Sequence, residues 1–137
     1  MNLQKTILVV EDDADDREIL VEVVHSLDPE VDIVLAVNGV EALRYLGAVK
    51  EVGERPCLIV LDLNMPYLNG RDTFERIRND AGLRGIPVII FTSSLNPHDK
   101  AYFTGRGADF VTKPDDYKEL NGIARRMIHA CTCDERP

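Results

Sequence analysis

The sequence predicts an α/β fold in which five parallel strands form one sheet with helices packed on both faces. Three observations lead there. Five apolar, strand-like runs alternate along the chain with segments whose apolar residues recur at helical spacing. The third run, Leu58-Ile59-Val60-Leu61, is apolar at every position, as a strand buried on both faces requires. Residues able to do chemistry follow several of these runs directly: Glu11-Asp12-Asp13, Asp62, Thr92 and Lys113. Strands that alternate with helices connect by right-handed crossovers, which give a parallel sheet covered on both sides.

In order, Thr6 to Val10 reads as the first strand. Asp13 or Asp15 can cap a first helix, whose inward residues Ile19, Leu20, Val23, Val24 and Leu27 lie at helical spacing and which Asp28-Pro29 closes. Val31 to Val37, mixed in polarity, reads as a second strand nearer an edge. Asn38-Gly39 is a turn before a helix marked by Val40, Ala42, Leu43 and Leu46, and the polar stretch Lys50 to Arg55 reads as a loop. Leu58 to Leu61 is the third strand. Asn64, Pro66, Asn69 and Gly70 punctuate a loop before a helix from Arg71 to Arg78, with Phe74 and Ile77 inward and Asp80-Ala81-Gly82 closing it. Val88 to Phe91 is the fourth strand, Pro97 to Thr104 a short helix, and Phe110-Val111 part of the fifth strand. Tyr117 to Ile128 is the last helix, with Leu120, Ile123, Ala124, Met127 and Ile128 on one side.

A chain of 137 residues with 45% hydrophobic and 29% charged residues is one globular domain, long enough to bury a core without staples. No apolar run approaches the ~18 residues of a membrane span, and the first strand-like run begins too early to leave room for a signal peptide. These features place the chain in the cytoplasm and away from membranes. The net charge of −8 argues against nonspecific nucleic-acid binding and permits a cationic partner or a divalent metal. Cys57, Cys131 and Cys133 are odd in number and lack a framework spacing, which suits a reducing compartment. Cys131 and Cys133 with His129 have the chemistry of soft-metal ligands, but three such residues near the chain end are weak grounds for a site.

Five βα units fit the flavodoxin-like strand order 2-1-3-4-5, with ligands bound beyond the carboxyl ends of the strands at the switch point between strands one and three. In that order the Glu11-Asp12-Asp13 run and Asp62 converge. Taken alone, an Asp after a strand most often caps a turn. Several carboxylates at one sheet edge repel each other, however, and a hard divalent cation such as Mg²⁺ resolves that repulsion with oxygen ligands. A hydroxyl at Thr92 and an ammonium at Lys113, at the next two strand ends, complete a site for a phosphoryl group. Asp62 would be its nucleophile, and the metal with Lys113 would neutralise the phosphoryl oxygens.

With these residues in hand, the chain resembles the response-regulator receiver domains of bacterial two-component signalling, over about Lys5 to Ile128. The resemblance rests on Ile7-Leu8-Val9-Val10-Glu11-Asp12-Asp13, Asn38-Gly39-Val40-Glu41-Ala42-Leu43, Leu61-Asp62-Leu63-Asn64-Met65-Pro66, Asn69-Gly70, Pro87-Val88-Ile89-Ile90-Phe91-Thr92-Ser93, Gly107-Ala108-Asp109 and Lys113-Pro114. It implies that Asp62 is the phosphoacceptor, and that Glu11, Asp12, Asp62 and the backbone carbonyl of Asn64 hold Mg²⁺, with Asp12 ranked above Asp13. It further implies that Thr92 is the switch hydroxyl, that Lys113 contacts the phosphoryl group, and that a cis peptide precedes Pro114. Phe110 stands where many receivers carry a Tyr or His that rotates inward; a Phe can repack there but cannot hydrogen-bond. Asn64 and Ser94, each two residues beyond a site residue, stand at positions that influence phosphoryl lifetime in the family.

The same resemblance implies a phosphoacceptor regulator that is not an enzyme beyond its own phosphorylation and slow autodephosphorylation. A sensor histidine kinase or phosphotransfer protein would be its partner. Residues 1–130 would form the receiver and 131–137 a short C-terminal tail with no effector domain, similar to single-domain regulators paired with bacterial phytochrome kinases. Output would then be a surface on the fourth helix, fifth strand and fifth helix, where Tyr102, Phe103, Phe110 and Tyr117 lie, with homodimerisation through that face as one outcome. Two rival readings are a phosphohydrolase of haloacid-dehalogenase type and a degenerate, phosphorylation-independent binding module. The first needs a second Asp two residues after the nucleophile, where this chain has Asn64. The second sits poorly with an intact set of site residues.

Overall fold

The structure is a computed structural model that describes residues 5–132. Five strands and five helices alternate: β1 (Thr6–Val10), α1 (Ala14–Leu27), β2 (Asp32–Ala36), α2 (Gly39–Val52), β3 (Leu58–Leu61), α3 (Gly70–Arg78), β4 (Val88–Thr92), α4 (Pro97–Thr104), β5 (Asp109–Thr112) and α5 (Tyr117–Thr132). All strand pairs are parallel and the order is β2-β1-β3-β4-β5, the predicted flavodoxin-like arrangement.

Alternation along the central strands divides the interior into two cores. Leu8, Val10, Ile59, Leu61 and Ile90 point to one face and pack with Ala42, Leu46, Phe74, Ile77 and Phe103 from α2, α3 and α4. Ile7, Val9, Leu58, Val60, Ile89 and Phe91 point to the other and pack with Leu20, Val23 and Val24 of α1 and Leu120, Ala124 and Met127 of α5. The outer strand β2 has exposed or half-buried residues at all but its last position, which explains its mixed polarity.

Helix starts follow side-chain chemistry. Asp13, Asn38, Asn69 and Asn96 each cap the helix that follows by accepting a backbone N–H with the side-chain oxygen. Two helices run further than periodicity predicts. The α2 helix continues through Lys50 and Glu51 to Val52 and stops at Gly53, whose φ of 74° suits glycine. Its last turn buries nothing fully: Val49 and Lys50 are half-buried and Glu51 and Val52 exposed, so two charged residues interrupt the apolar period there. The α5 helix extends past Ile128, and Cys131 within the added turn is buried.

The third departure concerns the cysteines. Cys57, just before β3, and Cys131, in the last turn of α5, are joined by a disulfide, with Cα atoms 5.0 Å apart and a sequence separation of 74. Sequence spacing could not reveal this pair, because the crossover into α5 carries the helix end back beneath the start of β3. Cys131 is therefore engaged by Cys57 rather than available with His129 for a soft metal, and Cys133 lies outside the described residues. Among the described residues, no helix is long and apolar enough to cross a membrane.

Candidate functional site

The ladder of the sheet builds the site by continuing past the strand ends. The Glu11 N–H donates to the Ala36 carbonyl (2.9 Å), the Asp62 N–H to the Val10 carbonyl (3.1 Å) and the Lys113 N–H to the Thr92 carbonyl (2.8 Å). These bonds set Asp62 beside the acidic run on one side and Lys113 beside Thr92 on the other. Glu11, Asp62 and Thr92 are all buried, which is uncommon for such groups unless they are partnered.

Three carboxylates meet one ammonium. Lys113 Nζ lies 2.6 Å from Glu11 Oε1, 2.8 Å from Asp16 Oδ2 and 3.4 Å from Asp62 Oδ2. The other Asp62 oxygen accepts the Leu63 N–H at 2.8 Å and faces the Asn64 N–H at 3.5 Å. The Thr92 hydroxyl oxygen accepts the Ser94 N–H at 3.3 Å, and Ser94 donates to Asp99 at 2.7 Å, tying the loop after β4 to α4. Carboxylate oxygens of Glu11, Asp12 and Asp62 all lie within 4.8 Å of one another, with Asp12 exposed at the mouth. A set of hard anionic oxygens at that spacing fits a divalent cation of the Mg²⁺ or Mn²⁺ class.

The charges perturb each other. Burial, together with the Asp62 charge, lifts Glu11 to about 7 against the opposing pull of Lys113. Burial would lower Lys113, but its hydrogen bonds to Asp16 and Glu11 and the charges of Asp62 and Glu11 outweigh it and hold the ammonium well above its ordinary value. The site thus keeps a permanent positive charge beside carboxylates that outnumber it, an excess of negative charge that a divalent cation would reduce.

Two members of the site escaped sequence reasoning. Asp16 lies in the first turn of α1 and reads as an acid favouring a helix N-terminus, yet it grips Lys113 from across 97 positions of chain. Gly70 opens α3 directly behind Asp62: a Cβ there would stand 2.3 Å from the Asp62 carbonyl oxygen and 2.6 Å from Leu63 Cα. Only glycine lets that helix start so close to the acid-bearing loop. The Asn69-Gly70 pair is the signal that could have suggested it. Asp13 caps α1 through the Asp16 N–H, so it faces the helix and not the carboxylate cluster.

On the predicted switch face, Phe110 is half-buried and packs 6.3 Å from Phe103. Tyr102 donates its hydroxyl to Glu75 of α3 and lies between the guanidinium groups of Arg71 and Arg106, 3.9 and 3.7 Å from its ring centre. Tyr117 is exposed at the start of α5. The expected cis peptide before Pro114 is absent: among the described residues every peptide bond is trans, and Lys113 reaches the acids with that geometry.

A five-unit parallel sheet of this order, with buried acids, a hydroxyl and a lysine at successive strand ends, defines a response-regulator receiver. Residues 7–125 match the response regulator receiver domain family, and the chain belongs to it. It is 34% identical over 122 residues to Response regulator Rcp1 of Synechocystis sp. (strain ATCC 27184 / PCC 6803 / Kazusa), covering 87% of this chain and 83% of that protein. It also matches longer curated relatives, spanning 34% of Regulator of RpoS of Escherichia coli (strain K12) at 38% identity and 55% of DNA-binding response regulator MtrA of Mycolicibacterium paratuberculosis (strain ATCC BAA-968 / K-10) at 33% identity. Among solved structures it is similar to the phosphorylated cyanobacterial phytochrome response regulator RcpA, with a TM-score of 0.85, 28% identity and 98% of each chain covered. It is also similar to the Mn²⁺-bound form of response regulator Rcp1, with a TM-score of 0.81, 28% identity and 97% of each chain covered. The protein is a two-component response regulator of the receiver type, related to phytochrome regulators.

Proposed function

We propose that Asp62 accepts a phosphoryl group from a phosphohistidine of a sensor kinase or phosphotransfer protein, and that the modified site reshapes the α4–β5–α5 face. The observation that carries this reading is the convergence of Glu11, Asp12 and Asp62 within 4.8 Å, with Lys113 Nζ on the same cluster. An Asp62 carboxylate oxygen attacks the phosphorus, a P–O bond forms, and the P–N bond to the donor imidazole breaks with its electron pair leaving on nitrogen. Lys113 supplies positive charge to the phosphoryl oxygens, and the Thr92 hydroxyl donates to one of them once it turns from its resting place beside Ser94.

Glu11, Asp12 and Asp62, with the backbone carbonyl of Asn64, would hold Mg²⁺, which neutralises charge developing on the transferred group. An oxygen-only donor set supports a hard divalent cation, and the Mn²⁺-bound Rcp1 structure is a precedent in a relative. Asn64 stands where an aspartyl phosphohydrolase needs its second Asp, which favours an acyl phosphate that persists as a signal over one turned over by a hydrolase. This is a signalling protein rather than an enzyme acting on other substrates.

Drawing the Thr92 hydroxyl inward frees the loop that Ser94 ties to α4, and Phe110 repacks against Phe103 in place of a hydrogen-bonding readout. Tyr102 and Tyr117 then belong to the face that a partner or a second copy would engage. The receiver reading runs to the end of α5 at Thr132 rather than stopping at residue 130, since Cys131 is buried within that helix, and mutual coverage of 98% with RcpA supports a receiver of this extent in the cytoplasm. Incubation with Mg²⁺ and acetyl phosphate should add one phosphoryl mass to the chain, and Asp62→Asn should abolish it. Labelling that survives Asp62→Asn, or that proceeds equally in excess chelator, would overturn the assignment.

A further inference from the structure

Cys57 and Cys131 lie outside the phosphoryl site, at the opposite edge of the sheet. Cys57 leads into β3, whose far end carries Asp62, and Cys131 sits in the last turn of α5, whose near end follows Lys113-Pro114. The bridge therefore fastens the start of β3, whose other end leads into the acceptor, to the end of α5, whose other end begins four residues after the lysine.

We propose that Cys57 and Cys131 are a reversible thiol–disulfide site, exchanged by low-molecular-weight disulfides and thiols of the glutathione class, and that its oxidation fastens α5 to β3. Three observations describe how the pair could open and close. Cys57 is half-buried whereas Cys131 is only 3% exposed, so Cys57 is the less shielded partner and the one at which exchange would begin. The Cys57 sulfur lies 3.2 Å from the Thr6 carbonyl oxygen, so the reduced thiol has a hydrogen-bond acceptor in place. The 5.0 Å Cα separation falls within the ordinary range for bridged cysteines, so closing the bond demands little backbone movement. Each redox state thus finds partners within one backbone arrangement. Two apolar cores already cover both faces of the sheet, so the fold does not depend on the bridge as a small disulfide scaffold would.

The chemistry balances in two exchanges. The Cys57 thiolate attacks a small disulfide RSSR, forming a Cys57–SR mixed disulfide and releasing RS⁻. The Cys131 thiolate then attacks the Cys57 sulfur, forming the internal bridge and releasing the second RS⁻. Two protons leave the protein, two cysteines are oxidised, and one RSSR is reduced to two RSH. Excess thiol reverses both steps, beginning at Cys57.

The test uses the full chain carrying Cys133→Ser, so that only this pair titrates. The protein is equilibrated in buffers of graded reduced-to-oxidised glutathione ratio, trapped with N-ethylmaleimide, and read by intact mass and peptide mapping. The expected result is one transition, from both cysteines alkylated to neither, with no glutathione adduct remaining. The bridged form should melt roughly 10 °C above the reduced form, and Cys57→Ala in the same background should lose that difference. Independent alkylation of the two cysteines, an adduct held on Cys57, or a bridge that reduced glutathione never opens would each overturn the exchange. Equal melting temperatures for bridged and reduced protein would overturn the fastening of α5.

Discussion

Replacing Lys113 with Met keeps most of the side-chain volume and removes the one ammonium that Glu11, Asp16 and Asp62 share. Without it, two buried carboxylates face each other with oxygens within 4.8 Å. At an effective dielectric of about 20 their repulsion amounts to about 3.5 kcal/mol, and with the opposing pull of Lys113 gone Glu11 holds its proton to higher pH than in the unsubstituted chain. In the unsubstituted chain Glu11 titrates near 7. A buried acid raised above its unfolded value binds more protons when folded, so the stability it contributes falls as pH rises through that interval. Below pH 7 both forms hold the proton and differ by the lost ion pairs with half-exposed Asp16 and with Asp62 at 3.4 Å, about 1–2 kcal/mol for the two. Between pH 7 and 8 only the unsubstituted chain has released it, so the variant loses about 1.4 kcal/mol more for that unit. Urea unfolding of both proteins at pH 6 and pH 8, without divalent metal, measures the difference directly. The reasoning predicts a deficit near 2 kcal/mol at pH 6, growing to about 3 kcal/mol at pH 8 and shrinking when millimolar Mg²⁺ is added. A deficit that is flat with pH, or larger at pH 6, would refute it.

Mg²⁺ binding needs Glu11 deprotonated, so affinity should rise roughly tenfold from pH 6 to pH 8 and flatten in Glu11→Gln, as read by calorimetric titration. Gly70→Ala forces a methyl against the Asp62 carbonyl and should cost about 1–3 kcal/mol by urea melt, whereas an open helical position would gain from the same change. Tyr102→Phe removes the bond from α4 to Glu75, which now lowers the Glu75 carboxyl. Amide exchange in α4 should quicken about fivefold, and Glu75 should titrate closer to its ordinary range by NMR.

The parts of the fold most legible in sequence are those where burial repeats with a short period. Leu58 to Leu61 is fully buried because both faces of β3 are covered, and its boundaries match the apolar run. The expected start of α4 at Pro97 matches the structure, where proline suits the first turn and Asn96 caps the helix. By contrast, the last turns of α2 and α5 carry mostly exposed residues or a buried cysteine, and periodicity has little to report there. At the site, the strand-end positions of Glu11, Asp62, Thr92 and Lys113 were visible because the sheet fixes them. Asp16 was not, because its role is a single contact between the start of α1 and the end of β5.

The sequence by itself determined the strand order and which acids, hydroxyl and lysine share an edge, since the βα rhythm and right-handed crossovers allow few arrangements. It also determined the family, through short motifs tied to those strand ends. Only the tertiary structure decided the electrostatic state of the site. How far Glu11 is buried and how many acids Lys113 must satisfy depend on distances that no spacing encodes. The same holds for the Cys57–Cys131 pair, whose 74-residue separation vanishes when α5 packs along β3. Local pattern specifies elements, because hydrogen bonding and periodic burial act over a few residues. Contacts between elements depend on how those elements pack, and there the chain's chemistry is set.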